Sequence, residues 1–232
     1  MYKRIVTVVM LLASAACAVR HPQPASTPRA APAEKSLQAL PAPGEYKIDS
    51  QNSELRLLVY RAGPLAHLGH NHVMVNHAVN GRAQIGDAIS STSFSLVMPA
   101  AAFVVDDAQS RREEGDDFPG EISEDAREGT RHNMMSAGVL NAAQFPDITV
   151  KSAALSGSLE AATADLEINV AGHRSRISVP LTLEGDAQHL IATGSLEVRQ
   201  SALGLAPYSL LGGALQVQDA MQLKFKITVL TN

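Results

Sequence analysis

The chain has no tryptophan, only five phenylalanines and four tyrosines, and a single cysteine among its 232 residues. A lone thiol, Cys17, cannot make an internal disulfide, so no disulfide framework supports the fold. Its place near the N-terminus also argues against a cysteine nucleophile. No Gly-x-Ser-x-Gly elbow and no glycine-rich phosphate loop occur, which disfavours serine-nucleophile chemistry and phosphate cradling. Basic charge is sparse as well: 19 Lys and Arg stand against 23 Asp and Glu, for a formal net charge of −4. With no basic stripe and no tryptophan, nucleic acid is disfavoured as a partner.

The longest apolar run, Ile5 to Ala16, is shorter than the roughly 20 residues a spanning helix needs. It follows Lys3 and Arg4 and ends in Ser14-Ala15-Ala16 before Cys17, the layout of an export signal over residues 1–17. Ser14-Ala15-Ala16-Cys17 resembles a bacterial lipobox, with serine where leucine is usual. That resemblance implies a lipidated Cys17 and a periplasmic protein anchored to the membrane; cleavage beside Ala16 or Ala18 would leave it soluble in the same compartment. Removal of Lys3 and Arg4 would move the formal charge to −6. Residues 18–44 carry Pro22, Pro24, Pro28, Pro32, Pro41 and Pro43 among small and polar residues, the composition of a disordered tether. Residues 45–232 suit one domain with a sizeable core.

Within that domain the dominant signal has a period of two. From Leu215 to Val229 the odd positions are apolar apart from Asp219, while the even ones are almost all polar. This is a strand with one dry face, long enough to favour a barrel or a strongly curved sheet. Leu166, Ile168 and Val170 alternate in the same way, as do Ile177, Val179, Leu181 and Leu183. Ala171-Gly172-His173-Arg174 between them reads as a hairpin turn. Leu190 to Arg199 gives another strand, and Pro180 predicts an edge or a bulge because it has no N–H to donate. Earlier strands are expected at Tyr46-Lys47-Ile48, Glu54 to Tyr60, His70 to Ala83, Ser93 to Pro99 and Asp147 to Ala154. Arg111 to Gly138 breaks the pattern: acids early and bases late predict one or two short helices, with the charges on a solvated face. The expected fold is all-β: an eight-stranded antiparallel barrel with a short helical insertion.

The chain also resembles the YceI-like family of exported, lipocalin-like barrels. Tyr46-Lys47-Ile48-Asp49 with Asn52-Ser53 carries the likeness, then Gly81 in "VNGRA" and Phe145-Pro146-Asp147-Ile148-Thr149. Ala171 to Ile177, Arg199 to Leu205 and "LLGGALQVQDAMQL" (210–223) complete it. The resemblance implies a barrel whose apolar interior encloses a long isoprenoid chain, such as that of a quinone or a polyprenyl phosphate. It brings no catalytic residues. Where the family commonly has aromatics this chain has Ala83 and Val150, and none near Leu203, which implies an aliphatic lumen of different width or shape.

The wall candidates are Leu166, Ile168, Val170, Leu196, Val198, Leu215, Val217, Met221, Leu223, Phe225 and Ile227. The expected function is non-catalytic binding or carriage of one isoprenoid-type lipid or quinone. The expected partners are that lipid, the membrane through Cys17, and a second copy of the chain in a homodimer. Two features point elsewhere. "HLGHNHVM" (67–74) places His70 and His72 two apart on one face of a strand, within reach of one zinc or copper ion, and Met74 beside them would suit copper(I). A third ligand from His67, His77 or His132 would depend on the fold. The plainer reading makes His70 and His72 hydrogen-bonded polar residues at a barrel mouth; touching a head group or moving a proton is a further one. A filled core, making the domain a structural interaction module, is the remaining alternative. Asp219, on an apolar face, demands a partner such as Arg199.

Overall fold

The computed structural model describes residues 39–185 and 189–230. The expected export signal, with Cys17, lies outside these residues, as does residues 18–38 of the expected tether.

Six strands precede two helices and six follow. β1 (Gly44–Lys47), β2 (Glu54–Ala62), β3 (His72–Asn76), β4 (Asn80–Ile85), β5 (Ser93–Pro99) and β6 (Val104–Val105) come first. The helices are α1 (Ala108–Glu114) and α2 (Glu124–Met135). Then come β7 (Asp147–Gly157), β8 (Ala162–Val170), β9 (His173–Gly185), β10 (His189–Arg199), β11 (Ser209–Leu210) and β12 (Leu215–Leu230). The strands join in one sheet, in the order β1-β4-β5-β7-β8-β9-β10-β12-β2-β3-β6, with β11 on β12. The pairs from β1–β4 to β8–β9 are antiparallel, like the rest. An antiparallel bridge between Ile48 and Val229 ties the chain after β1 to the last strand, so the sheet curls back on itself. The fold is all-β and barrel-like.

Among the described residues there are twelve strands, not the expected eight. Beyond the expected spans, the additional strands are the two-residue β6 and β11 and the second half of a span that breaks in two, His70 to Ala83. Short 3-10 turns at Ser50–Asn52 and Ala100–Ala102 separate β1 from β2 and β5 from β6, and residues 77–79 separate β3 from β4. The span from His70 to Ala83 is therefore two strands rather than one. Asn76, fully buried, holds two of these breaks together. Its Nδ2 donates to the Pro99 carbonyl at 2.9 Å and its Oδ1 accepts from the Ala78 N–H at 2.8 Å. Backbone groups that leave the ladder are thus satisfied by a side chain.

The hairpin between β8 and β9 turns on two residues, because Val170 pairs with His173. Ala171 and Gly172 both take positive φ, +50° and +80°, as the tight turns compatible with strand twist require. Pro180 lies inside the β8–β9 ladder, opposite Thr163, rather than at an outer edge. Its missing N–H is felt on the other side: the β9–β10 ladder runs only from Leu190–Gly185 to Thr193–Thr182 and stops short of Pro180.

The helices form where the acids and caps predict. Ser123 caps α2 through the Ala126 N–H, with Glu124 and Asp125 in the first turn and His132 in the last. The chain around α1 covers the outside of β2 and β3, where Phe118 packs with Leu58, Val73 and Val75. Strand β3 is consequently buried on both faces. Charge pins α1 there. Arg56 of β2 donates to Glu113 and Glu114 of α1 at 2.8 Å each and to Glu54 at 2.7 Å, while Lys224 of β12 reaches Glu114 at 2.5 Å. The expected solvated face thus has exceptions: Glu114 and Arg111 are both buried side chains.

Candidate functional site

Period-two alternation turns one face of nearly every strand inward, and those faces enclose a cavity of about 320 Å³. Its wall is aliphatic and aromatic. His72, Thr92, Thr130, Asn133, Gln200 and Tyr208 are the polar residues among its lining. Thr130, Asn133 and Met134 of α2 contribute to it, so the helix closes part of the lumen, and Leu40 and Ile89 contribute from the loops. The volume lies at the lower end of small-molecule pockets, ~300–1,000 Å³. Four methionines, Met74, Met98, Met134 and Met221, line it, and unbranched thioethers yield to a ligand's shape more readily than branched side chains.

Nine of the eleven expected wall residues border this space: Leu166, Ile168, Val170, Val198, Val217, Met221, Leu223, Phe225 and Ile227. Leu196 and Leu215 do not. Leu196 packs half-buried against the hydrophobic cluster instead. Leu215 pairs with Leu210 of β11 and sits against Gly69, at the far start of β12. Ala83, Val150 and Leu203, the positions expected to make the lumen aliphatic, all border it. The filled-core alternative does not match this geometry. Sequence reasoning missed the contribution of β2: Leu55, Leu57 and Val59 face inward, a clear alternation in "ELRLLVY" that Leu58 obscures.

Asp219 lies where β12 leaves its register with β2, between Val217 and Met221. Its carboxylate accepts from the Ser201 N–H at 2.8 Å and the Ser201 hydroxyl at 2.6 Å, with Arg199 at 3.8 Å. The expected arginine is present, but Ser201 is the closer partner. Those hydrogen bonds hold the Asp219 carboxyl below its ordinary pKa.

His70 precedes β3, and His72 begins it. Their rings lie 4.5 Å apart, edge to face. None of the three histidines considered as further ligands joins them; Asp106 does. His72 Nδ1 is 2.7 Å and His70 Nε2 3.5 Å from Asp106 Oδ2. The other carboxylate oxygen, Oδ1, accepts from the Val73 N–H at 2.9 Å and from Arg111 at 2.7 Å. Arg111 is locked in turn by the carbonyls of Asn71, Pro119 and Gly120, and its guanidinium lies over the Phe118 ring. The Asp106 side chain is fully buried. Burial alone would raise its carboxyl, but the two imidazoles and the Val73 N–H outweigh it and hold the group well below the usual carboxylate range. Asp106 also takes φ of +52°, uncommon for a non-glycine residue. No feature of the linear sequence singles it out, since 34 residues separate it from His72.

The fold and lumen together define a small antiparallel β-barrel-like protein with an apolar interior. A YceI-like domain profile matches residues 46–229; the chain belongs to the YceI-like family. Among solved structures, BcnA of Burkholderia cenocepacia is similar at 15% identity and a TM-score of 0.58, covering 78% of this chain and 98% of that one. A polyisoprenoid binding domain from Saccharophagus degradans, implicated in plant cell wall breakdown, is similar at 12% identity and a TM-score of 0.52, covering 80% and 97%. At these identities the likeness is one of fold. No curated protein matches the sequence significantly.

Proposed function

We propose that the chain binds one long apolar molecule of isoprenoid type in its lumen and performs no catalysis of its own. The observation that carries this reading is the cavity itself: about 320 Å³ of space walled by side chains from both halves of the chain, with few polar groups. Each buried methylene gains on the order of 0.8 kcal/mol, so a chain of several isoprenoid units has ample driving force even after its ordering cost. The named ligand class of the Saccharophagus degradans neighbour supports the reading, as does membership of the YceI-like family. The N-terminal residues support an exported protein, held at the membrane through a lipidated Cys17. Such a protein would carry or store the lipid on the far side of the membrane.

The test is solvent extraction of the purified chain followed by mass spectrometry, with binding of added ubiquinone and undecaprenyl phosphate. A prenyl lipid near one per chain is expected. An extract without lipid, together with no binding of either probe, would remove the proposal.

A further inference from the structure

We infer that His70, His72 and Asp106 form a site for one divalent transition-metal ion of the zinc class, set into the barrel wall. The proposal is separate from the lumen's ligand and does not depend on it. The donor atoms of the three side chains all lie within 4.8 Å of one another. An ion at about 2.0–2.2 Å from each donor needs separations only slightly wider than the 2.7 Å of the His72–Asp106 pair. Two imidazole nitrogens and one carboxylate oxygen are a borderline donor set, which suits zinc and its neighbours rather than calcium or magnesium.

Two observations separate this arrangement from an ordinary ion pair. First, the carboxylate is positioned beyond what pairing with a histidine needs. Arg111 and the Val73 N–H occupy Oδ1, leaving Oδ2 as the donor facing both imidazoles. This resembles the outer-shell bonding that orients metal ligands, and it is achieved at the cost of a left-handed backbone at Asp106. Arg111 opposes the charge of an ion, but it also prevents the carboxylate from turning away. Second, His70 Nε2 is buried and finds no full hydrogen-bond partner among the described residues; its nearest acceptor, Asp106 Oδ2, stands 3.5 Å away. A buried nitrogen left unbonded is unfavourable, and coordination would satisfy it. The His72 ring also borders the lumen, which places the ion at the cavity wall, with a coordination position left for water or for a polar group of the lumen's occupant. Met74 points into the same lumen as part of the hydrophobic cluster, so the set does not depend on a thioether.

The experiment is titration of the full-length chain, stripped with chelator, with zinc(II) by calorimetry, and with cobalt(II) by visible absorption. One ion per chain and the intense visible bands of a four- or five-coordinate cobalt site are expected. His70→Ala removes a ligand whose Nε2 has no full hydrogen bond to another described residue, so the metal-free variant should still fold, while zinc affinity falls more than about tenfold. His72→Ala should lose the site entirely, and the same cobalt bands should vanish. No binding by the parent chain, or equal binding by a folded His70→Ala, would overturn the proposal and leave the cluster a structural network. Neither outcome bears on lipid extraction.

Discussion

Gly172 shows how much a single position can carry. It takes φ of +80°, and an added Cβ would lie 2.5 Å from the Phe145 ring. Gly172→Ala should therefore cost about 1–3 kcal/mol in chemical denaturation, from backbone strain and the displaced ring together. The turn around it was legible from "AGHR", because such a short link between alternating runs has few solutions; the ring of Phe145, 27 positions upstream, was not. Ala83 tests the lumen. It is buried and borders the cavity. Ala83→Phe is expected to fold, with an overpacking cost of about 1–3 kcal/mol, and to reduce co-purified lipid measured by mass spectrometry. Unchanged lipid in a folded Ala83→Phe would place the ligand elsewhere. Asp219 was legible as an anomaly because polarity breaks a period; its partner Ser201 was not, because Arg199 looked the better match on charge alone.

At the scale of elements, the clamp between β2 and α1 matters most. Arg56 and Glu114 are both buried side chains, at 11% and 6% exposure, and breaking such a pair leaves a charge without its partner. Arg56→Ala should lower stability by about 3 kcal/mol, measured as the shift in denaturant midpoint. The clamp also sets an acid limit. Burial would raise the Glu114 carboxyl, but Lys224 and Arg56 outweigh it and hold it below the ordinary value. The unfolded chain thus takes up its proton first, near ~4.3. Stabilisation is complete above that pH and declines as pH falls through the lower folded value. Glu114→Gln should flatten that acid limb in a melting series from pH 7 to pH 3, and an unaltered limb would show that other carboxylates set it. The strand positions themselves were legible wherever one face is wet. Between His70 and Ala83 they were not, because β3 is buried on both faces and the break after it is a side-chain turn at the fully buried Asn76, with no Gly or Pro to mark it.

For the whole molecule, a ligand bound in the lumen as proposed would couple binding to stability. A ligand that occupies the folded barrel alone adds about 2.7 kcal/mol when present at 100 times its Kd. Delipidated protein should therefore melt below the form isolated with its lipid, and added polyprenol should restore the difference in a calorimetric scan. No change on re-addition would argue for a rigid, indifferent cavity. Local sequence specified the all-β class and the inward rows of β8 and of most of β12, because side-chain alternation is a property of each strand's own pleat and needs no partner. It also determined that a helical insertion would interrupt the strands, because capping and charge order act within one turn. The number of strands, the exclusion of Leu196 and Leu215 from the lumen, and the meeting of Asp106 with His70 and His72 were set by the folded arrangement. Those depend on where a curling sheet brings distant segments together, and short-range periodicity carries no record of that distance.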